Sequence, residues 1–305
     1  MSSWNAENLI YIMAPVGYAR KNIEKQGIKV YSPYHGDGLP LRIFREICFR
    51  IPILPKVIWY NQKPLRTSPK YIHIIDVNIT VHYLKWIQSK FPEAQINFIY
   101  DNMVGKARNI TPDSVPKGIR VWTYDDYDSK KYHIRLTKNY WVNEDRKKPK
   151  NKPEYDVFFV GKDKGRGEKL LELEKKLNGM GLKTKFIITK DGKLSKEKPY
   201  YQQPISYDEV IDFDAKSRAI LNITMDNQEG VTMRDMESLL LGVKLITTNR
   251  NIRNKDLYNK NNVFILGEDN LDELPYFLNT ESIDVWTGIK ENHTFKAMID
   301  ELTQD

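Results

Sequence analysis

The feature that most restricts this chain is an alternation that runs, stops and starts again. In the first half, "NLIYIMAP" (8–15), "IKVYSPY" (28–34), "KVIWYN" (56–61), "YIHIIDV" (71–77), "QINFIYDN" (95–102) and "IRVWTYD" (119–125) are short apolar runs that read as strands. Among them lies "TVHYLKWIQSKFPEA" (80–94), where Val81, Leu84, Ile87 and Phe91 fall near helical spacing behind Thr80 as N-cap. Then "RKKPKNKP" (146–153) places Lys or Arg at five of its first seven positions, a composition that makes a linker and no core. The pattern restarts with "YDVFFVG" (155–161), the helix "EKLLELEKKLNGMG" (168–181), "KTKFIITK" (183–190), the serine-capped helix "SYDEVIDFDAKSR" (206–218), "AILNIT" (219–224), "VKLITTN" (243–249), "NVFILG" (262–267) and a helical stretch over 281–303. Strands alternating with helices form parallel sheets covered on both faces. The expectation is therefore two Rossmann-like, doubly wound α/β domains facing a cleft. They span 1–150 and 151–305, and the last helix is placed to pack back on the first domain.

Composition narrows the function classes. At 305 residues the chain suits two cores, and 40% apolar with 29% charged content reads as globular. No apolar run reaches the roughly 18–20 residues that span a bilayer, and "MSSWNAENLIYIMAP" lacks the basic-then-apolar order of a secretory signal. One cysteine, Cys48, fits a reducing cytosol. The five histidines stand at no metal-ligand spacing, so no metal or other cofactor is expected. The net charge of +8 suits nucleic acid, an anionic membrane or a phosphorylated small molecule. Aromatics accompany basic residues in "YDDYDSKKYHIRLTKNYW" (124–141), but acids interrupt them and no RNA- or DNA-binding signature is present, so no nucleic-acid partner is expected. A dinucleotide-dependent dehydrogenase needs a glycine fingerprint after the first strand, which "APVGYARKN" does not supply.

The densest chemistry lies in "EGVTMRDMESLLLG" (229–242). Thr232 and Asp235 match a capping box, so a helix starts near Met233 and stops at Gly242. The N–H groups from Val231 to Arg234 then point out of a helix start, which favours a phosphate by about 0.3–2 kcal/mol. Gly230 allows close backbone approach, and Arg234 offers a charge-assisted contact. Glu237 can accept two ribose hydroxyls, and Glu229 can do the same for a sugar ring. A second cluster, "GKDKGRGEKL" (161–170), sets Gly161, Gly165 and Gly167 among Lys162, Lys164 and Arg166 where a strand gives way to a helix. Flexible backbone with cations at a helix start forms a phosphate cradle. It matches neither the Walker A nor the dinucleotide fingerprint.

With these motifs the second half, roughly 155–270, resembles the GT-B glycosyltransferases, two-Rossmann-domain enzymes that use nucleotide sugars. "EGVTMRDMESLLLGVKLITTN" is similar to the E-x7-E signature of the retaining family-4 type. It is closer to the Q-x-G-[LV]-T-x-R-x-x-E segment of bacterial capsule and exopolysaccharide transferases, followed there by K-L-I-T-T-N. Here those positions are Gln228, Gly230, Thr232, Arg234 and Glu237, then Lys244 to Asn249. The resemblance implies that Glu237 holds the donor ribose. It implies that Glu229, or the backbone from Gly230 through Val231 to Thr232, meets the sugar and phosphate, and that Lys164 or Arg166 neutralises the diphosphate. The usual pair of basic residues is compressed here to "GKDKG". The implied enzyme transfers a hexose from a nucleotide sugar, a UDP-sugar in first place, with retention the preferred outcome.

The same resemblance gives the first domain the acceptor, a glycan or a polyprenyl-diphosphate-linked glycan. In "SPYHGDGLPLRIFREICFRIP" (32–52), Gly36 and Gly38 form a turn carrying His35 and Asp37. Leu39, Ile43, Phe44 and Ile47 then make an apolar face beside Arg42, Arg45 and Arg50. From Leu39 to Arg66 there are six basic residues and one acid, Glu46, which suits an anionic membrane surface reached peripherally from the cytoplasm. An inverting reaction needs a general base, for which Asp37, His35, Asp76 and Asp101 are candidates, the last two at strand ends. The rival reading is a metal-dependent GT-A-type transferase using Asp126 and Asp128 of "DYD". A non-catalytic nucleotide-sugar or nucleic-acid binder is the third.

Overall fold

The computed structural model describes residues 4–14, 18–36, 38–51, 53–106, 109–138, 152–192 and 195–304. The chain divides into two compact units: Met1–Asn143 with Asn292–Asp305, and Glu144–Glu291. Most of the expected linker, and Asp37, lie outside the described residues.

Unit 1 runs β1 (Leu9–Ile12), α1 (Tyr18–Lys25), β2 (Lys29–Tyr31), α2 (Leu39–Arg50), β3 (Tyr71–Ile75), α3 (Val81–Lys90), β4 (Gln95–Tyr100), β5 (Arg120–Thr123), α4 (Asp126–Tyr132) and β6 (Arg135–Leu136). Its six strands are all parallel, in the order β2-β1-β3-β4-β5-β6. Successive side chains of a strand point to opposite faces. Ile10, Ile12, Ile72, Ile74, Ile96 and Phe98 therefore form one core under α3, while Leu9, Tyr11, Tyr71 and Ile99 belong to the other. Both faces are buried, which is why these strands read as continuous apolar runs. Thr80 caps α3, its hydroxyl accepting the Tyr83 N–H at 3.2 Å.

Unit 2 runs β7 (Tyr155–Lys162), α5 (Gly167–Gly179), β8 (Thr184–Thr189), α6 (Tyr207–Ala215), β9 (Ser217–Asn222), α7 (Met233–Leu241), β10 (Lys244–Thr247), β11 (Val263–Ile265), α8 (Leu274–Asn279) and α9 (Trp286–Ile289). Its five parallel strands lie in the order β11-β10-β9-β7-β8. The last helix, α10 (Phe295–Thr303), belongs to unit 1. Its Phe295, Met298, Ile299 and Leu302, at i, i+3, i+4 and i+7, complete the core that holds Leu9 and Tyr11.

Two expected elements differ. Residues 56–61 are not a strand: Lys56–Trp59 is a 3-10 turn closed by the Ile58 N–H on the Pro55 carbonyl and the Tyr60 N–H on Val57. Its Val57 and Ile58 face water, so an apolar run that reads as a core strand is a surface feature here. The stretch 281–303 is not one helix. α9 ends at Ile289, and Thr294 starts α10 afresh as its N-cap, accepting the Ala297 N–H at 3.1 Å.

Candidate functional site

In both sheets the order in which successive strands are laid down reverses once, between β1 and β3 in unit 1 and between β7 and β9 in unit 2. Ligands of open α/β sheets bind beyond the carboxyl ends of the strands at such a switch point. In unit 2 the two loops leaving these strands are the two motifs read from the sequence: 163–166 after β7 and 223–232 after β9. They are fastened to each other. The Arg166 guanidinium donates to the Ile223 carbonyl and lies over the Phe159 ring, 5.5 Å from its centroid. Among the described residues of unit 2, the non-glycine positions with left-handed backbone are Lys164 (φ 48°) and Asn227 (φ 63°), one in each loop. Asn tolerates that region, whereas for Lys it is a strained choice held by its surroundings. The Lys164 N–H donates to Asp191 at 2.8 Å, and Gly165 follows at φ 78°.

The loop 163–166 is built around a residue the sequence reading passed over. Asp163 is buried and accepts the Gly167 N–H at 2.7 Å, Tyr201 at 2.7 Å, Tyr200 at 2.9 Å and Lys198 at 3.1 Å. Burial alone would raise its carboxyl, but these donors outweigh it and hold the group well below the usual carboxylate range. The start of α5 thus carries its own anion. Gly167 serves packing: a Cβ there would meet the Tyr200 ring at 2.8 Å. Asp163 was legible only as an acid inside a basic turn, because Lys198, Tyr200 and Tyr201 come from a distant segment.

The loop 223–232 is clamped from β10. Asn249 donates to the carbonyls of Glu229 (3.3 Å) and Gly230 (3.2 Å), and Asn251 donates to Glu229 at 3.1 Å. Thr248 accepts the Thr224 N–H at 2.9 Å. The end of the "KLITTN" run and Asn251 after it therefore fix the backbone of the "QEGVT" run. Gln228 accepts the Met225 N–H at 3.2 Å, and Gly230 and Val231 are buried. Asn222, at the end of β9, donates to Asp235 (2.7 Å) and Thr232 (3.0 Å). Asp235 accepts the Thr232 N–H at 2.7 Å, and α7 ends at Gly242 with φ 59°, the two ends the sequence implied. Burial pushes the Asp235 carboxyl up to about 6.

Glu237, 1% exposed, faces inward from α7. One carboxylate oxygen accepts the Tyr207 hydroxyl at 2.7 Å and the other accepts Arg234 at 2.5 Å. Arg234 also grips Asp214 through two bonds, 2.9 and 2.5 Å, and lies 5.7 Å from the Phe158 ring centroid. Burial opposes its charge, but Glu237 and Asp214 outweigh burial and keep the guanidinium firmly protonated. Arg234 is thus committed to two carboxylates beside it, and Asp214 and Tyr207 of α6 join the motif from outside the segment that carries it.

In unit 1, Asp76 follows β3 at the switch point. It is buried, accepts Asn109 at 2.8 Å and the Asp101 N–H at 3.1 Å, and burial pushes its carboxyl up to about 7. Asp101 is exposed. His35 is exposed, with its N–H on the Trp59 carbonyl at 2.9 Å. Arg45 is buried, donating to the His35 carbonyl at 3.2 Å and lying over the Tyr34 ring at 4.7 Å, whereas Arg42 faces water. Asp126 and Asp128 open α4 behind Asp125 as N-cap. Asp128 turns inward to accept the Val104 N–H at 2.7 Å, which spends that carboxylate on the fold.

No protein-family model matches the chain, and no curated protein matches it in sequence. Among solved structures, it aligns over 96% of its length with 95% of the DNA-modifying enzyme β-glucosyltransferase, at a TM-score of 0.50 and 12% identity. It aligns over 97% of its length with 94% of a UDP-N-acetylglucosamine 2-epimerase from Listeria monocytogenes, at a TM-score of 0.51 and 9% identity. At these identities the likeness is one of fold, and the chain has the GT-B fold: two parallel-sheet α/β units, as in these sugar-nucleotide enzymes.

Proposed function

We propose that the protein is a glycosyltransferase that moves a sugar from a UDP-sugar to a glycan or lipid-linked glycan in the synthesis of a bacterial surface polysaccharide. The observation that carries the reading is that both sequence motifs leave the strands flanking the switch point of one sheet and are laced together there. The diphosphate would lie against the amino end of α7 near Gly230, Val231 and Thr232, with Lys164 beside it. Glu237 would take the ribose hydroxyls, oriented by Tyr207 and by Arg234, and Gln228 and Glu229 would meet the sugar. In the transfer, the bond from the anomeric carbon to the diphosphate oxygen breaks and a bond to the acceptor oxygen forms. The acceptor proton leaves to the diphosphate itself in a retaining reaction, or to a carboxylate such as Asp76 in an inverting one. No metal is assigned a role. The reaction would take place in the cytoplasm, peripherally on the inner face of the plasma membrane. The fold neighbours support the donor class: the β-glucosyltransferase was crystallised with and without uridine diphosphoglucose.

The test is a thermal-shift panel of UDP, GDP, dTDP, CMP and ADP, with and without Mg²⁺. UDP should raise the melting temperature by mass action, and a flat response to all five would remove the reading. Glu237→Ala should weaken the UDP response roughly tenfold or more while Arg234 keeps Asp214; unchanged affinity would end the ribose assignment. A second acceptor, DNA, is favoured by the net charge of +8 and by the DNA-modifying neighbour. Sugar transfer to duplex DNA, with none to a lipid-linked glycan, would select it.

A further inference from the structure

Of the fourteen large apolar side chains exposed among the described residues, ten fall between Leu41 and Leu65. They include Phe44 (57% exposed), Ile58 (63%) and Ile53 (89%). Soluble surfaces scatter such residues singly; a contiguous patch marks an interaction site. Contiguity is shown by the Phe44 and Trp59 rings, 5.7 Å apart, which join α2 to the turn Lys56–Trp59. Within α2 the usual order is reversed: Arg45 and Cys48 are buried, while Leu41, Ile43, Phe44 and Ile47 face water. That orientation cannot come from core packing, because a helix serving only as a crossover would turn these four residues inward.

The charges around the patch choose its occupant. Arg42, Arg50, Lys63 and Arg66 are exposed beside it, Lys56 is half-buried within it, and Glu46 is the sole acid between residues 39 and 66. A second copy of the chain would bring the same excess of positive charge against itself, and an apolar protein groove would leave the cations without partners. A bilayer rich in anionic lipid satisfies both parts, apolar side chains entering the acyl boundary and cations meeting headgroup phosphates.

We propose that α2 and the segment up to Arg66 form a monotopic docking surface for an anionic lipid bilayer, with Phe44, Ile53 and Ile58 inserting and Arg42, Arg50, Lys63 and Arg66 on the headgroups. The proposal rests on the peripheral placement above and uses no donor residue. The full chain is sedimented with vesicles of phosphatidylcholine alone and of phosphatidylcholine with about one-third phosphatidylglycerol. Binding to the anionic vesicles should exceed binding to the neutral ones roughly tenfold or more, and should weaken with added salt. Ile53→Asp with Ile58→Asp, both at exposed positions, should reduce it by a similar factor with the thermal melt unchanged, as should Arg50→Gln with Lys63→Gln and Arg66→Gln. Equal binding to neutral vesicles overturns the proposal. So does failure to bind either, and so does a concentration-dependent dimer that Ile53→Asp with Ile58→Asp dissolves. Running UDP thermal shifts on the same sample separates the readings: a UDP response without vesicle binding removes only the docking surface, and the reverse removes only the donor site.

Discussion

In unit 2 the loops at the switch point are tied from several sides: Asn249 and Asn251 on the Glu229–Gly230 backbone, Asn222 on Asp235, and Arg234 between Asp214 and Glu237. In unit 1 the equivalent place holds Asp76 with Asn109 and the Asp101 backbone, and elsewhere in the unit helix α2 turns apolar side chains to water. One strand order therefore supports two kinds of surface. A site for a small polar ligand needs groups fixed before binding, since every unmade hydrogen bond in a dry pocket is costly. A surface for a large or fluid partner needs exposed apolar area and charge, and little fixed geometry. The same contrast appears in the carboxylates: Glu237 is buried against the Arg234 guanidinium, and among the described residues Asp76 is held by the Asn109 amide and the Asp101 N–H.

The comparison is broken most directly at Asp214. Asp214→Ala leaves Arg234 with Glu237 as its remaining carboxylate partner in a buried setting, and should cost about 3–5 kcal/mol in urea unfolding followed by circular dichroism. A loss under about 1 kcal/mol would show that the network is not rigid.

The next effect lies in unit 1 and depends on pH. His73, fully buried, is held down to about 3 by burial, and burial raises Asp76 to about 7. His73 thus lowers stability as pH falls from about 6.5 towards 3, because the unfolded chain takes the proton first. Asp76 lowers stability as pH rises from about 3.8 to 7, because the folded chain holds the proton longer. Between these limits the two slopes, each about 1.4 kcal/mol per pH unit, oppose one another. Relative to the parent chain, His73→Phe should lose about 2–3 kcal/mol of stability on going from about pH 4.5 to 6.5, and Asp76→Asn should gain as much. Two variants with the same slope would refute the assignment.

Asn249→Ala removes the donor shared by two loop carbonyls. It should cost about 1–2 kcal/mol and weaken the UDP response, which ties the clamp to binding. The smallest effect is the control in unit 1: Thr80→Ala removes the α3 cap, costs about 1 kcal/mol, and leaves the UDP response unchanged.

Much of this was legible in the residues. Apolar runs fixed by burial on both faces marked ten of the eleven strands or their neighbourhoods, and cap chemistry set both ends of α7 because it depends on residues three to nine positions apart. Residues 56–59 failed, since an apolar run does not say which side of the molecule it faces. At the candidate site, Thr232, Gly230 and Glu237 stood out because they are neighbours in sequence. Asp163, Asp214, Tyr207 and Asn251 did not, because each meets its partner across 20 or more positions or through a segment with no signature of its own.

The sequence by itself determined the two alternating α/β halves, the helix start at Thr232 and the clustering of phosphate-friendly residues, because all of these arise from local spacing and backbone preference. Tertiary structure decided that Arg234 is spent on Asp214 and Glu237, that Asp163 occupies the start of α5, and that α2 shows its apolar face to water. Those outcomes depend on which distant groups arrive within hydrogen-bonding distance and on which face is left uncovered, and no spacing along the chain encodes either.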